Sequence, residues 1–238
     1  ITSISLFLFF FSLSVYLSLS LSFCLYFFGD VFVKNVRNSW GSLKVLKNSK
    51  DEIIDWNYLV KLHELQCTEK LRAANRLTNK HIYYTNYKMK AIYAIQVFSR
   101  SVGKSLKFCR EVLKLPEFEH SEATEEFLYI MNDLFDVMNS RSSKGIKLQG
   151  PLRESNKQYW LPFFVKAHIY IYGLRNGNTG ARMVTEDPKR TGFLGMICNI
   201  VAVERIFNQH VASGSLCFLL TYKLSQDFLE HFFGLGKP

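Results

Sequence analysis

The sequence predicts a mainly α-helical chain, and three features carry that expectation. Apolar residues return every three or four positions through several long stretches. Residues suited to capping stand at the head of those stretches. Glycine, proline and polar clusters separate them. With 238 residues there is enough chain for one sizeable core or two small ones.

The elements follow in order. Residues from Val31 to Val45 mix Lys34, Arg37 and Lys44 with Val33, Val36 and Leu43, and Asn48-Ser49-Lys50-Asp51 reads as a polar connection. Asp55 is the expected N-cap of a helix in which Leu59, Leu62 and Leu65 keep helical spacing to Gln66. A second helix is expected from about Glu69 to Leu77. A third is expected from about Asn86, through Met89, Ile92, Ile95, Val97 and Val102, to Leu113, with Pro116 as its stop. Ser121 and the acidic first turn Glu122, Glu125, Glu126 open a fourth, with Phe127, Ile130, Met131, Leu134, Phe135 and Met138 at helical spacing. Ser140 to Gly150 reads as a loop, and a helix is expected after Trp160-Leu161-Pro162. A Gly-, Asn- and Thr-rich loop spans Arg175 to Arg190, and Phe193 to Phe207 suits a buried helix. Leu216 to Leu220 fits either a strand or a helix entry. Ser225 is the expected cap of a last helix carrying Phe228, Leu229, Phe232 and Phe233.

Residues 1 to 29 are of a different kind. They carry no charge and consist almost wholly of Phe, Leu, Ser, Ile, Val, Tyr and Cys. The length and hydropathy suit a membrane span. The segment lacks the charged start and small-residue cleavage site of a secretory signal. The same residues are those encoded by pyrimidine-rich codons, so translated non-coding sequence ahead of a splice acceptor gives the same pattern. Membrane anchor and artefact both stand as readings of a low-complexity segment foreign to the rest, residues 1–30.

A formal net charge of +10 and a sequence pI near 9.3 fit polyanionic partners, or only a basic surface. The five cysteines are scattered, without a C-x-x-C pair, and read as reduced and mostly buried. The six histidines lack H-x-x-x-H spacing. No glycine-rich dinucleotide loop, P-loop or nucleophile elbow is present, so those enzyme classes find no support.

Several stretches carry a resemblance: Lys34-Asn35-Val36-Arg37-Asn38, Ile54-Asp55-Trp56, Lys61-Leu62-His63-Glu64-Leu65-Gln66, Lys88-Met89-Lys90, Gln96-Val97-Phe98-Ser99, Thr191-Gly192-Phe193-Leu194-Gly195, and the run from Thr221 to Gly234. In order and spacing, across roughly residues 33 to 234, they resemble the P-element transposase family, many of whose members carry a THAP zinc domain. The resemblance implies a cut-and-paste DNA transposase with an RNase-H-like α/β domain holding three acidic residues. It also implies a helical GTP-binding domain inserted before the third acid. On this expectation residues 31–50 are an RNase-H-like remnant, 51–210 the helical GTP-binding insertion domain, and 211–238 the RNase-H-like C-terminal segment. The implied partners are GTP, Mg²⁺ and DNA at transposon ends, in an oligomer when intact and in the nucleus; a membrane enters only if residues 1–29 are genuine.

The resemblance also implies roles. Glu230 matches the third acid and is the expected catalytic residue and metal ligand; Asp227, three residues earlier on the same helix face, is expected at the nucleotide or its Mg²⁺. Lys90, Ser99, Phe135, Asp136 and Asn139 match the nucleotide-binding positions. Their chemistry suits guanine: a carboxylate accepts from N1–H and N2–H₂, an aromatic face stacks, and lysine meets phosphate. Without the family context Phe135 reads as core, while Asp136, Asn139, Asp227 and Glu230 read as solvated helix residues.

One departure bears on catalysis. The family's second acid lies six residues before the lysine of the K-x-x-R-N stretch, which lands on Phe28; Asp30 is displaced by two, and Val31 replaces the family's histidine. The first acid and the zinc domain have no counterpart. The expectation is a transposase fragment that retains guanine-nucleotide binding but cannot cut DNA. The alternative is a membrane-anchored or domesticated scaffold whose helical domain binds partners.

Overall fold

The computed structural model describes residues 30–69, 76–179 and 182–225. The architecture is mainly α, with one small sheet. Helix α1 spans Asp30–Leu43 and buries Val33, Val36, Trp40 and Leu43 on one stripe. It ends where Lys44 turns left-handed, φ 67°, and donates its N–H to the Trp40 carbonyl at 2.7 Å. Strand β1, Val45–Lys47, then lies antiparallel between β2, Ile53–Asp55, and β3, Arg175–Asn176, with Leu46 opposite both Ile54 and Asn176. Asn48 builds the β1–β2 turn: its Oδ1 accepts the N–H groups of Lys50 and Glu52 at 3.0 Å each.

Helix α2, Asn57–Thr68, follows. Asp55 serves its start from one residue further out than a formal cap, accepting the Asn57 N–H at 2.8 Å, while its own N–H donates to Thr124 Oγ1 at 3.0 Å. The helix expected over Glu69–Leu77 is not found where the chain is described. Residues 70–75 lie outside the described residues, and Thr78 is extended at φ −143°, ψ 171° as the cap of the short helix α3, Asn79–Ile82.

The single helix expected from Asn86 to Leu113 is a correction. A 3₁₀ turn, Tyr84–Tyr87, leads to α4, Ala91–Val97, and Ser99, extended at φ −70°, ψ 147°, separates it from α5, Arg100–Glu111. The Ser99 carbonyl takes the first N–H groups of α5, and the corner lets Phe98, 1% exposed, turn inward. Helix α6, Glu122–Met138, matches its expectation.

Helix α7, Lys157–Tyr172, starts earlier than expected and carries Pro162 inside it. The preceding turn sets the start, Asn156 accepting the Arg153 N–H and donating to the Pro151 carbonyl. Proline leaves the Gln158 carbonyl without its helical donor, at an exposed face where water serves. The loop 175–190 hides β3, pinned by Asn176 Nδ2 donating to Asp187 Oδ2 at 2.9 Å. Leu216–Leu220 is neither helix nor strand: Leu219 makes a bridge with Leu152, each donating at 2.9 Å, before a 3₁₀ turn at Thr221–Leu224.

Helix α8, Thr191–Ile206, continues as a π turn, Phe207–Val211. It packs on α1. The contact depends on the two glycines of the T-G-F-L-G stretch. A Cβ at Gly192 would lie 2.5 Å from the Val36 nitrogen and 2.7 Å from the Asn35 carbonyl carbon, and one at Gly195 would enter the Phe32 ring.

One continuous core runs from Phe32 to Leu219. At its centre Trp40 meets Trp56 edge-on at 5.0 Å and Phe127 edge-on at 5.1 Å, and stacks with Phe98 at 6.1 Å. The cysteines depart from the expected burial. Cys109 is buried, but Cys67, Cys198 and Cys217 are exposed and free, on outer faces next to buried neighbours such as Gln66 and Asn199; Cys24 lies outside the described residues. No helix among the described residues is long and apolar enough to cross a membrane.

Helix propensity alone makes Gly192→Ala stabilising by about 1 kcal/mol. The backbone clash with α1 outweighs it, so the variant is expected to lose roughly 1–3 kcal/mol, the range for overpacking. Urea unfolding measures the sign.

Candidate functional site

Helix α6 positions three of the expected residues. Phe135 and Asn139 are four apart and share a face, with Asp136 beside them. Phe135 is half-buried against the core, and Asn139 closes the helix, its Oδ1 accepting from Arg141 Nε at 3.1 Å.

Asp136 is half-buried and has no cation bonded to it among the described residues. Its Oδ2 accepts from two neutral amides, Asn132 Nδ2 at 3.1 Å and Gln149 Nε2 at 3.0 Å. Both bonds fall on one oxygen, which leaves Oδ1 as an acceptor for another donor. Burial pushes the Asp136 carboxyl above its usual range and the charge of Asp133 adds to this, against the opposing amide bonds and the more distant Arg100. The folded chain therefore holds this proton more tightly than the unfolded chain. The proton's contribution favours folding below the ordinary carboxyl pKa near 3.8 and is lost as pH rises through the raised value. At neutral pH the ionised group works against stability.

Neighbouring acids on α6 are treated differently. Asp133 is bound by Arg100 at 2.6 Å, and Glu125 by Arg110 at 3.0 Å. Asn132 Nδ2 also donates to Asp133 Oδ1 at 3.2 Å, but Asp133 has its arginine besides, whereas Asp136 is held by amides alone among the described residues.

Ser99 reaches this region through its neighbour. The Arg100 N–H donates to Asn132 Oδ1 at 3.3 Å, and Asn132 is the same residue that donates to Asp136. Ser99 Oγ itself bonds Ser101 Oγ at 2.9 Å. Lys90 stands exposed at the opposite end of α4, a helix about 10 Å long. Ser99, through Arg100, and Asp136 thus both connect to Asn132 at the α5–α6 contact, while Asn139 stands at the end of α6 and Lys90 one short helix away.

Sequence reasoning missed the residues that set these positions. Arg37 is fully buried without a carboxylate bonded to it among the described residues, and desolvation lowers its pKa to about 10. Its Nη2 donates to the carbonyls of Tyr87 at 3.1 Å and Lys88 at 3.3 Å, and Asn38 Nδ2 donates to the Lys88 carbonyl at 3.3 Å. The R-N of the K-x-x-R-N stretch thus clamps the loop that presents Lys90. Asn132 and Gln149 carried no signal, being single polar residues in a helix and a loop.

Thr221 joins the chain's later part to the same end of α6. Its Oγ1 donates to the Val137 carbonyl at 2.5 Å and accepts the Ser140 N–H at 3.0 Å. The expected residues Asp227 and Glu230 lie outside the described residues. Among the described residues, no cluster of three His, Cys, Asp or Glu side chains has metal-binding spacing.

A helical body threaded by one core, with this polar helix end, defines a class. Residues 32–151 match the TNP-like, GTP-binding insertion domain family, and the chain belongs to it. Among similar proteins, it is 29% identical over 210 residues to the human DNA transposase THAP9, covering 87% of this chain and 23% of that protein. It is 28% identical over 148 residues to the Transposable element P transposase of Drosophila melanogaster, covering 62% of this chain and 18% of the relative. The chain therefore spans about a fifth of the length of these relatives. The Drosophila P element transposase strand transfer complex holds a chain of the same fold, with a TM-score of 0.69 and 24% identity over 86% of this chain and 44% of that one.

Proposed function

We propose that this chain is a guanine-nucleotide-binding portion of a cut-and-paste DNA transposase. On this reading residues 51–210 are the inserted helical body, and residues 31–50 and 211–238 are its flanking RNase-H-like segments. One observation carries the reading: in the region that matches a GTP-binding family, Asp136 is half-buried, bonded by two neutral amides on Oδ2, and has Oδ1 open.

Such a carboxylate suits guanine, whose N1–H and N2–H₂ are both donors, and rejects adenine, which offers one amino group beside an acceptor. The stability lost by holding it ionised makes sense if a ligand's donors meet it. Phe135 supplies a face for the base, Asn139 a further polar contact, and Lys90 and Ser99 meet the phosphates. Bound GTP supplies binding energy for assembling protein on DNA at transposon ends.

Asp227 and Glu230 are the proposed ligands for Mg²⁺, with Glu230 the catalytic acid. Ser225, their near neighbour in sequence, follows a turn tied to the C-terminal end of α6 through Thr221 and through the Tyr222 N–H, which donates to the Ser140 carbonyl. In-line displacement at a phosphodiester needs two metal ions about 3.5–4 Å apart, clamped by several carboxylates. Glu230 is the one acid in register with the family's three, so this chain by itself binds nucleotide without cutting DNA. The nucleus is the site of action proposed for the intact transposase.

Calorimetry in Mg²⁺ buffer is expected to show the chain binding GTP more tightly than ATP; equal binding, or none, would overturn the reading. Asp136→Asn is expected to weaken GTP binding by roughly 1.5–3 kcal/mol, the value of a hydrogen bond to a charged group. It should do so without lowering stability at neutral pH, because it removes the ionised carboxylate that opposes folding there.

Supercoiled plasmid incubated with the chain, GTP and Mg²⁺ should remain uncut. Nicking that vanishes in Glu230→Ala would reveal a working metal site and contradict the assignment of an inactive fragment.

A further inference from the structure

A cleft of about 510 Å³ lies where α1, the 3₁₀ turn after α3 and the start of α8 meet. Lys88 and Lys189 stand exposed in its walls, Asn35, Thr85 and Thr191 add neutral donors, and the described lining holds no carboxylate. Neither lysine is ion-paired among the described residues. Asp187, two places before Lys189, is buried and already accepts from Asn176 Nδ2 and from the Lys189 N–H, at 2.9 Å each. Lys189 is held against α1: its Nζ donates to Ser42 Oγ, and its carbonyl accepts from Ser39 Oγ at 2.7 Å. An ammonium has three donors, so others remain for a ligand.

A third positive charge lies under the cleft. Asn38, Tyr84 and Lys88 line it and are also direct partners of the Arg37 guanidinium. Asn38 Oδ1 accepts from Arg37 Nε at 2.8 Å, the Lys88 carbonyl accepts from Nη2 at 3.3 Å, and the Tyr84 ring lies 4.9 Å away. The guanidinium is sealed from the cleft and acts on it by charge alone. Buried charges are usually paired. This one meets only carbonyls, an amide and a ring, and with a pKa of about 10 it stays protonated at neutral pH. An uncompensated cation one side chain deep favours an anion in the nearest open space, because poorly solvated surroundings strengthen the attraction. Helix α8 starts at Thr191, so the positive end of its dipole meets the same wall.

We propose that this cleft seats the phosphate backbone of DNA, with Lys88 and Lys189 meeting phosphates above the charge of Arg37. Lysine meets phosphate as a point charge, and hydroxyls and amides bind phosphate oxygens beside it, all without reading sequence. The exposed cations Lys90 and Arg190 follow Lys88 and Lys189 by two places and one. The positive surface thus extends past the cleft, as a polymer needs and a single phosphate does not. A net charge of +10 suits the same partner. The choice of polymer rests on the proposed function, and the cleft adds the surface that DNA touches. It uses no group at Asp136.

The test uses the whole chain and a labelled DNA duplex, followed by fluorescence anisotropy over a range of salt. Lys88→Ala and Lys189→Ala are each expected to weaken binding severalfold at low salt, equally on two unrelated sequences. Each should also lower the slope of log affinity against log salt by about one. Lys50→Ala removes the same charge from a cleft shared with Glu52 and Glu126, and should change neither quantity. Lys189→Arg, which keeps the charge, should keep the slope. An equal loss in Lys50→Ala would show diffuse surface charge and overturn the proposal, as would undiminished DNA binding by the Lys88→Ala, Lys189→Ala double variant. Calorimetry with pyrophosphate tests the other source of phosphate. Saturable binding lost in Lys189→Ala, with DNA binding untouched, assigns the cleft to a free phosphate and overturns the strand. GTP binding by Lys189→Ala should match that of the unmodified chain, and Asp136→Asn should keep the DNA slope. Failure here and failure of the guanine reading are therefore separate results.

Discussion

Trp40 is buried without measurable exposure, and three other aromatic side chains from distant parts of the chain close on it: Trp56 from the start of α2, Phe98 from the α4–α5 corner, and Phe127 from α6. Its indole N–H donates to the Ile54 carbonyl at 3.4 Å, so the sheet is drawn into the same contact. The positions of α6 and of the α4–α5 corner are therefore both measured from α1. Arg37, one turn earlier on that helix, holds the carbonyls of Tyr87 and Lys88, which places the loop before Lys90 from the same origin. A single helix thus sets where the candidate phosphate-binding lysine and the candidate base-binding carboxylate stand relative to each other.

The polar groups divide by what they are paired with. Arg110 binds Glu122 at 3.1 Å and Glu125 at 3.0 Å, and Arg100 binds Asp133, so α5 and α6 are laced by charge pairs. The exposed pairs contribute little to stability individually, whereas Arg110–Glu125 is largely buried; together they fix the rotation of one helix against the other. Asp136 stands outside that lacing. It is oriented by Asn132 and Gln149, which fix its geometry without neutralising its charge. A carboxylate kept charged, oriented and partly desolvated is suited to bind a ligand's donors, whereas a salt-bridged one is already satisfied.

The sequence made the helical parts legible where one face is strictly apolar. The spacing of Phe127, Ile130, Met131 and Leu134 predicted α6, and the run from Phe193 predicted α8. It misled where a helix had to bend: Val97 and Val102 face the same core from either side of Ser99, while Met89 and Ile92, which keep the apolar spacing in the sequence, are exposed. Pro162 misled in the other direction, its cost being small on an exposed face. The two-residue strand β3 gave no pattern, since its pairing depends on Leu46, more than a hundred residues earlier. Within the candidate site, the family resemblance pointed to Asp136 and Lys90, but neither the amides that orient Asp136 nor the Arg37 clamp has a signal that periodicity or composition can carry. They are long-range contacts of single polar side chains.

The central claim is that guanine is read at the C-terminal end of α6. Hydrogen–deuterium exchange of the whole chain, with and without GTP, tests its location directly. The account predicts that GTP slows exchange at the backbone amides around residues 132–140 and 147–150, and at the segment around Lys90. Slowing confined to other regions, with 132–140 unchanged at saturating GTP, would contradict it.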